Sequence, residues 1–560
     1  MRRHRFQSLA EVFNYSISKY AKKPAYSLTD GTERYTYQEF GERCRRLSEQ
    51  LANFGINSGD RVAILSQNIP NWAVAYFSIV AFGRIAVPML TELSSNEVVN
   101  IIRHSESKAI FVSKRLIEKI PEELLAQMRI VFYTDDLSIA RVGEEAYTCN
   151  GTISTPTADD LACIIYTSGT SGAAKGVMLS HRNFCANILA SWKAKPLRRN
   201  EVFLSILPLA HTYEMSVGML YAFSHGAVTY YLNRPPTPSV LIPTFSKIRP
   251  TLMLSVPLVM EKIYRSSIVP TIEKSRFLSR LKKTFPSLLY WLVGMRLKKT
   301  FGGRMRFFGI GGAKLDVEVE TFLKKAGFPY AIGYGLTETA PLICNAPPAK
   351  THIGTTGIAA YGVKIRLENK DPQTGEGEIV VKGDNVMRGY YKDYERTLSV
   401  FTEDGWFRTG DVATVDKKGR YSIKGRLGSV ILGPSGENIY PEEIESVIND
   451  ISGINESLVV ERNGHLVALV HFNEDVLNWS YENEDRFVEE MDRRKEEILK
   501  FVNERVNRSS RISDVEVEKE PFIKTATLKI KRFLYKEKAS DGAEKDAPKD
   551  LNSPKADDKK

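Results

Sequence analysis

The stretch "LACIIYTSGTSGAAKGVMLSH" (161–181) joins a β-rich run to a glycine-rich loop. The apolar run ends at Tyr166 and is followed at once by glycines, hydroxyl residues and Lys175. Backbone N–H groups and hydroxyls in such a loop can enclose a polyphosphate. A Walker A loop needs Ser or Thr after its lysine to hold magnesium, whereas Lys175 precedes Gly176. A carboxylate elsewhere in the chain must therefore hold the metal.

Short β-rich runs alternate with helical stretches through the first 340 residues. "RVAILSQ" (61–67) precedes "NWAVAYFSIVAFG" (71–83), and "TLMLSVP" (251–257) precedes "VMEKIYRSSI" (259–268). Alternation of this kind is typical of layered α/β domains with largely parallel sheets, whose ligands bind at the carboxyl ends of the strands. The glycine-rich loop lies at such an end.

The pattern changes in the second half of the chain. Short strands separated by turns predict a small antiparallel sheet or barrel from about 353 to 424. A chain of 560 residues is expected to form more than one domain. We expect a large N-terminal domain over 1–425 and a small α/β domain over 426–535, which ends in a final strand region up to Tyr535. The last residues, 536–560, are too polar to bury a core and are predicted to be disordered.

Composition excludes several classes of protein. Hydrophobic residues make up 42% of the chain, and its five cysteines form no Cys-x-x-Cys pair, which argues against a disulfide framework or a zinc site. The basic start, "MRRHRFQSLAEVF" (1–13), lacks the apolar core of a signal peptide. We find no apolar run of 18 or more residues, so a membrane span is not expected. A reducing cytoplasm fits these features best.

The formal net charge of +11 is unevenly distributed. No Asp or Glu occurs from Lys274 to Lys314, where Lys and Arg surround "FPSLLYWLVGM" (285–295). Such a basic, aromatic-rich segment suits peripheral contact with an anionic membrane on its cytoplasmic face. It equally suits a buried helix flanked by solvated cations. Nucleic acid is not expected as a partner, because no recognised binding motif accompanies the charge.

Two further motifs offer the groups that a nucleotide site needs. In "GYGLTET" (333–339), Glu338 is a candidate magnesium ligand and the glycine-flanked Tyr334 could lie flat against a base. In "GWFRTGD", Asp411 follows a tight glycine turn and could accept hydrogen bonds from a ribose diol. Arg426 could deliver a cation to the ribose or to a phosphate. Each residue alone also suits an ordinary turn or surface, but their order along the chain favours one shared site.

These motifs together resemble the adenylate-forming superfamily of acyl-CoA synthetases, peptide-synthetase adenylation domains and firefly luciferases. The resemblance runs from "SLAEVF" (8–13) to "KTATLKIKRFLY" (524–535) and is strongest to bacterial long-chain fatty acyl-CoA synthetases. The motifs that carry it are "TSGTSGAAKGVMLSH", "LPLAHTYE", "GGAKL", "GYGLTET", "GWFRTGD", "GRLGSVILGPSGENIYPEEIE" and "KTATLKIKR". The resemblance implies a large adenylation domain followed by a small, mobile C-terminal domain.

The resemblance also implies a complete ATP site. The loop residues expected to hold the β and γ phosphates of ATP are Thr167, Ser168, Gly169, Thr170, Ser171, Gly172 and Lys175. Gly312 and Ala313 are expected to line the adenine pocket, with Tyr334 stacked on the ring. Asp411 and Arg426 are expected to hold the ribose hydroxyls.

By the same resemblance, five residues carry catalytic, metal-binding or hinge roles. Thr337 is expected to contact the α phosphate, and Glu338 to bind Mg²⁺. Lys529 matches the family's mobile catalytic lysine, and His211 matches a position that closes the acyl pocket. Gly428 occupies the hinge about which the C-terminal domain rotates, where the family usually has Asp or Lys. Glycine should turn easily at that point.

The implied reaction is ATP-dependent activation of a long-chain fatty acid to an acyl-adenylate. Transfer to coenzyme A then gives acyl-CoA, AMP and pyrophosphate. An alternative keeps the first step and delivers the acyl group to acyl carrier protein, whose acidic surface would suit a basic enzyme. A second alternative is a non-catalytic lipid or nucleotide sensor, although such relatives normally lose Glu338 or Lys529, and both residues are present here.

Overall fold

The structure is a computed structural model, and it describes residues 5–143, 151–168, 174–432, 438–473, 484–525 and 529–535. The chain divides into two compact units, Met1–Gly428 and Ser429–Lys560. The division follows Gly428, close to the boundary predicted at Arg426. The predicted disordered tail, 536–560, lies outside the described residues.

Strands and helices alternate along the first unit. Its strands are β1 (Pro24–Leu28), β2 (Arg34–Thr36), β3 (Arg61–Leu65), β4 (Ile85–Met89), β5 (Ala109–Val112), β6 (Ile130–Tyr133), β7 (Ile139–Val142), β8 (Leu161–Ser168), β9 (Ala174–Ser180), β10 (Val202–Ser205), β11 (Val228–Tyr231), β12 (Leu252–Ser255), β13 (Phe307–Ile310), β14 (Tyr330–Gly335), β15 (Leu342–Ala346), β16 (Ile358–Ala359), β17 (Lys364–Glu368), β18 (Gly377–Lys382), β19 (Gly389–Tyr390), β20 (Phe407–Val415) and β21 (Tyr421–Arg426). Its α-helices are α1 (Leu9–Lys19), α2 (Tyr37–Asn53), α3 (Pro70–Val80), α4 (Ser95–Ser105), α5 (Glu122–Gln127), α6 (His181–Ala194), α7 (Tyr221–Ser224), α8 (Pro238–Ile248), α9 (Pro257–Ile263), α10 (Val269–Lys274), α11 (Arg276–Thr284), α12 (Pro286–Thr300), α13 (Val317–Lys325) and α14 (Tyr394–Ser399). Two π-helical segments, Glu214–Leu220 and Tyr264–Ile268, adjoin α7 and α9 among the described residues.

The two large sheets have parallel centres and antiparallel edges. One has the strand order β16-β15-β14-β13-β12-β10-β11-β1-β2, and its strands from β14 to β1 run parallel. The other has the order β19-β9-β8-β4-β3-β5-β6-β7, and its strands from β8 to β6 run parallel. This arrangement confirms the predicted α/β fold class, with strand ends available for a site.

The core lies between these sheets, around α3. Every residue of α3 is buried, and the helix contacts β1 of one sheet and β3 and β4 of the other. A helix that is apolar on all sides is stable only where it is covered on all sides. The amphipathic α2 and α4 begin with capping boxes, in which Thr36 pairs with Glu39 and Ser94 with Glu97.

A third sheet has the order β17-β18-β20-β21, and all of its neighbouring strands are antiparallel. It falls within the stretch predicted to form a small antiparallel sheet or barrel. Its order runs from one edge strand to the other, so a sheet rather than a closed barrel is present. The register of β20 and β21 places Asp411 directly opposite Arg426.

The second unit has its own core. Its strands are β22 (Ile431–Leu432), β23 (Asn438–Ile439), β24 (Ile454–Arg462), β25 (His465–Phe472) and β26 (Asp514–Val517), and its helices are α15 (Pro441–Ile448) and α16 (Glu484–Asn503). The strand order β24-β25-β26 forms a small sheet. The predicted final strand region is only partly extended. After β26 it contains an isolated bridge between Lys524 and Ile530 and a 3-10 turn at Arg532–Leu534.

Among the described helices, none combines the length and the apolar character needed to cross a bilayer.

Candidate active site

The glycine-rich loop connects two antiparallel strands, β8 and β9. Their register places Thr167 opposite Lys175. Four of the predicted phosphate-binding residues lie between these strands and outside the described part of the chain, namely Gly169, Thr170, Ser171 and Gly172. The Thr167 hydroxyl is buried and has no hydrogen-bond partner within the described part of the chain. Thr167 and Lys175 therefore mark the base of the loop.

Lys175, Glu338 and Tyr390 form a compact polar cluster at this base. The Lys175 ammonium lies 2.8 Å from Glu338 Oε1 and 2.9 Å from the Tyr390 hydroxyl. The Tyr390 hydroxyl donates to the same carboxylate oxygen at 3.0 Å. The ammonium also lies 4.6 Å from the centre of the Tyr390 ring, within the range of a cation–π contact. The Glu338 side chain is only 9% exposed, so this is a largely buried ion pair.

The charges of this cluster stabilise one another. Burial acts to raise the pKa of Glu338, but the attraction and hydrogen bond of the Lys175 ammonium, together with the other hydrogen bonds to the carboxylate, outweigh it, and the pKa lies below its usual value. Burial raises the pKa of Tyr390, and the neighbouring carboxylate raises it further. Glu338 is therefore a carboxylate and Tyr390 a neutral donor at physiological pH.

Strand pairing explains why Tyr390 lies in the cluster. β19 pairs with β9, so that Tyr390 lies opposite Val177. The Met387 N–H donates to the Glu338 carbonyl oxygen at 2.8 Å, which ties the two segments together. Sequence reasoning missed Tyr390. The only local signal is an aromatic pair in "RGYYKD", which is equally typical of a turn.

Tyr334, Asp411 and Arg426 form a second cluster in the same unit. The Tyr334 hydroxyl donates to Asp411 Oδ2 at 2.7 Å, and Arg426 Nε donates to Asp411 Oδ1 at 2.8 Å. Attraction to Asp411 raises the pKa of Arg426, and Tyr334 and Glu338 contribute in the same direction. The structure thus brings together three residues predicted for the nucleoside. Their nucleotide contacts stay a prediction.

The carboxyl ends of β13 and β14 supply the remaining predicted nucleotide residues. These strands are parallel, with Ile310 opposite Ile332. Gly312 and Ala313 lie just beyond the end of β13 and are exposed, and Gly312 has a φ of 92°, which favours glycine. Thr337 begins the 3-10 turn that places Glu338. These residues lie where ligands bind in an open α/β sheet.

His211 lies in a tight turn before the π-helical segment Glu214–Leu220. Its N–H donates to the Pro208 carbonyl oxygen at 3.0 Å. The Tyr213 N–H donates to His211 Nδ1 at 3.3 Å. An apolar pocket adjoins this segment, and residues that line it include Phe203, Tyr213, Val217, Tyr221, Leu254 and Phe307.

The predicted catalytic lysine belongs to the second unit, and the predicted hinge ends the first. Lys529 is exposed in the second unit, where the Thr525 N–H donates to its carbonyl oxygen at 2.8 Å. Gly428 is the last residue of the first unit, and a Cβ added there would meet no atom within 4 Å. No group of three or more His, Cys, Asp or Glu that could hold a metal ion occurs within the described ranges.

The fold and these clusters are of the kind expected in a nucleotide-binding α/β enzyme. The AMP-binding enzyme family matches residues 13–391, which is most of the chain. The chain therefore belongs to the AMP-binding enzyme family.

Curated relatives and solved structures agree with this assignment. The peroxisomal long chain acyl-CoA synthetase 6 of Arabidopsis thaliana is 30% identical over 499 residues, covering 80% of this chain and 69% of the relative. The chloroplastic long-chain-fatty-acid acyl-carrier-protein ligase AEE15 of the same plant is 27% identical over 538 residues, covering 80% and 73%. ATP-bound MatB from Rhodopseudomonas palustris is 25% identical with a TM-score of 0.74, covering 94% and 98%. The predicted resemblance to adenylate-forming acyl-CoA synthetases is confirmed.

Proposed function

We propose that this enzyme is a long-chain fatty acid:CoA ligase that works through an acyl-adenylate in the cytoplasm. The similarity to long chain acyl-CoA synthetases supports the substrate class. The observation that carries the proposal is the buried contact of Lys175 with Glu338, 2.8 Å apart at the base of the glycine-rich loop. It brings together the proposed phosphate-binding cation and the proposed metal-binding carboxylate. Cys44, Cys163, Cys185 and Cys344 are free thiols, which suits a reducing compartment.

In the first step, a carboxylate oxygen of the fatty acid attacks the α phosphorus of ATP. The new O–P bond forms as the bond from that phosphorus to pyrophosphate breaks. Lys175 would release Glu338 and bind the phosphates, Thr337 would contact the α phosphate, and Lys529 would offset the developing charge. Positioned charges of this kind provide most of the catalysis in phosphoryl-type transfer.

Glu338 fits the metal that this step requires. Mg²⁺ prefers hard oxygen ligands and is usually held by one or two carboxylates together with substrate phosphates. A single buried carboxylate beside a phosphate loop matches that donor set, and Glu338 is ionised. Bound there, Mg²⁺ would neutralise charge on the phosphate oxygens.

In the second step, the thiol sulfur of coenzyme A attacks the carbonyl carbon of the acyl-adenylate. The C–S bond forms as the C–O bond to AMP breaks, and the thiol proton passes to solvent. Lys529 must leave this carbon for the thiol to approach. We propose that rotation about Gly428 withdraws it, which open space around its Cα permits.

The apolar pocket is the proposed acyl site. Its lining is mostly aromatic and aliphatic, as burial of a hydrocarbon chain requires. His211 precedes the lining residue Tyr213 by two positions. His211 would admit the carboxylate and then close the pocket over the chain.

Pyrophosphate release tests the proposal. Purified enzyme is supplied with ATP, Mg²⁺ and fatty acids from short to long, each with and without coenzyme A. Release should peak with long acids and continue through many turnovers only with coenzyme A. Absence of release with every acid would contradict the proposal. Saturable, acid-dependent release would exclude the non-catalytic sensor.

Acyl carrier protein is the alternative acceptor. The similarity to the acyl-carrier-protein ligase AEE15 favours it, as does the net charge of +11. An acidic carrier would be steered toward a basic surface. Parallel assays with holo acyl carrier protein and with coenzyme A decide the acceptor, because only the true acceptor supports sustained turnover.

A basic surface on α11 and α12 is the proposed membrane contact. Phe285, Leu288, Trp291 and Met295 are exposed, with Trp291 at 55%. Leu288, Trp291 and Met295 recur at helical spacing on one face of α12, and Leu289 and Leu297 pack into the core from the other. The cations on these helices and at their ends are Lys274, Arg276, Arg280, Lys282, Lys283, Arg296, Lys298 and Lys299. Exposed apolar side chains surrounded by cations suit contact with the surface of an anionic bilayer.

Replacing Lys282 and Lys283 by Ala should weaken binding to phosphatidylglycerol vesicles. Each lysine near an anionic surface contributes about 1 kcal/mol, so the pair predicts a loss of more than tenfold. Trp291→Ala should also weaken binding, and Leu398→Ala, another exposed apolar site, should not. Vesicle co-sedimentation measures the affinity, with phosphatidylcholine vesicles as the uncharged comparison. Equal binding by wild type and the lysine variant would contradict a membrane contact at this surface.

A further inference from the structure

Glu214 is a fully buried carboxyl that none of the predicted steps uses. It begins the π-helical segment Glu214–Leu220, three residues after His211. Its Oε1 accepts a hydrogen bond from the Ser205 hydroxyl at 2.5 Å. Its Oε2 is buried and has no hydrogen-bond partner among the described residues. Burying an ionised carboxylate with so few donors would be costly, so the neutral acid is favoured.

The surroundings of Glu214 agree with a neutral acid. Burial raises the pKa of Glu214 to about 8, although the hydrogen bond from Ser205 acts in the opposite direction. The titratable groups that face the carboxyl are the phenols of Tyr213 and Tyr231. No Lys, Arg or His forms an ion pair with it in the part of the chain that the structure describes.

Ser205 connects Glu214 to the turn that leads to His211. Asn68 Nδ2 donates to the Ser205 hydroxyl at 3.3 Å and to the Leu207 carbonyl oxygen at 2.6 Å. The Leu209 N–H donates in return to Asn68 Oδ1 at 2.9 Å. Asn68 follows β3 of one large sheet, and Ser205 ends β10 of the other. The network therefore fixes this turn to both sheets.

Residues in and beside the π-helical segment either line the apolar pocket or pack closely against their neighbours. Tyr213, Val217 and Tyr221 recur every four residues and line the apolar pocket. Glu214 and Gly218 each follow a pocket-lining residue, and a Cβ added to Gly218 would lie 2.9 Å from the Phe203 ring and 3.0 Å from the Glu214 carboxyl carbon. Because these residues are so closely packed, displacement of Glu214 would shift the pocket wall. Single π turns within helices often occur at functional sites.

We propose that Glu214 is a positioning residue that, as a neutral acid hydrogen-bonded to Ser205, holds the His211 turn and the pocket wall in place for the acyl substrate. The inference rests on the proposed fatty acid:CoA ligase function. It assigns Glu214 no contact with substrate. A structural acid at this point would determine how well the enzyme binds its fatty acid without altering its affinity for ATP.

Kinetics of three variants test the role. Glu214→Gln keeps the shape, the neutrality and an acceptor for Ser205, so its KM for the fatty acid should stay within about twofold of wild type. Glu214→Ala should raise that KM about tenfold and leave KM for ATP unchanged. Ser205→Ala, a smaller change that spares folding, should act in the same direction. Loss of fatty acid binding by Glu214→Gln as severe as that of Glu214→Ala would overturn the proposal.

Thermal stability against pH tests the protonation state without any substrate. Because the folded pKa lies above the unfolded value, the folded protein keeps a proton that the unfolded chain releases, and stability from this group falls as pH rises toward 8. Glu214→Gln removes that loss. The difference in Tm, variant minus wild type, should therefore become more positive from pH 5 to pH 8.

The two measurements separate the possible failures. A Tm difference that does not change with pH would overturn the neutral acid, and with it the proposal. A difference that becomes more positive in an enzyme that releases no pyrophosphate with any acid would count against the ligase function instead.

Discussion

Glu338→Gln is expected to slow pyrophosphate release by about a hundredfold to a thousandfold, the usual cost of losing one well-placed charge in such a transition state. The amide removes the negative charge proposed to bind Mg²⁺. It also leaves the Lys175 ammonium, 2.8 Å away and largely buried, without its ionic partner. The initial rate of release at saturating ATP and fatty acid, followed across a Mg²⁺ titration, measures the effect. The Mg²⁺ requirement should rise as the rate falls.

Tyr390→Phe is the matched control for this variant. It keeps the ring near the Lys175 ammonium and removes only the hydroxyl bonded to Lys175 and Glu338. Loss of such charge-assisted hydrogen bonds is expected to cost about tenfold. A Glu338→Gln enzyme as fast as Tyr390→Phe, with an unchanged Mg²⁺ requirement, would contradict the metal-binding role of Glu338.

Lys529→Ala is expected to lower the first step by a similar factor, about a hundredfold to a thousandfold. The proposed role of Lys529 is to offset charge on the α phosphate, so formation of the adenylate should suffer. Transfer from a synthetic acyl-adenylate to coenzyme A does not use that charge and should keep nearly its wild-type rate. Single-turnover measurements of the two half-reactions separate these effects.

Lys531→Ala is the control for Lys529→Ala. Lys531 belongs to the same basic run but matches no catalytic position, so its removal should leave both half-reactions close to wild type. Equal losses in the two variants would mean that general positive charge, and not a particular lysine, supports the reaction.

Local sequence signals predicted much of the fold. Runs such as 61–67 and 251–257 formed parallel strands because their length, apolar character and following helices all favour that structure. The antiparallel sheet followed from short strands and glycine turns. The prediction of a strand region up to Tyr535 was less accurate, because a bridge and a 3-10 turn replace continuous strands there.

Contacts between distant segments could not be predicted in the same way. Tyr390 is 215 residues from Lys175, and only the pairing of β19 with β9 brings them together. The unusual environment of Glu214 could not be predicted, because it depends on the burial of the side chain and on its hydrogen bond from Ser205, which only the fold defines. Nor could the sequence decide whether 285–295 is buried. The exposed side of α12 depends on the helices packed against it, so Trp291 is half exposed while Leu289 is buried.

Exchange of labelled pyrophosphate into ATP tests whether the enzyme forms an acyl-adenylate. The enzyme is incubated with ATP, Mg²⁺, labelled pyrophosphate and a long-chain fatty acid, without coenzyme A. An enzyme that forms an acyl-adenylate reversibly should move the label into ATP only when the acid is present, and Lys529→Ala should abolish most of that exchange. Acid-independent exchange, or cleavage of ATP to ADP and phosphate with no exchange, would contradict adenylate formation.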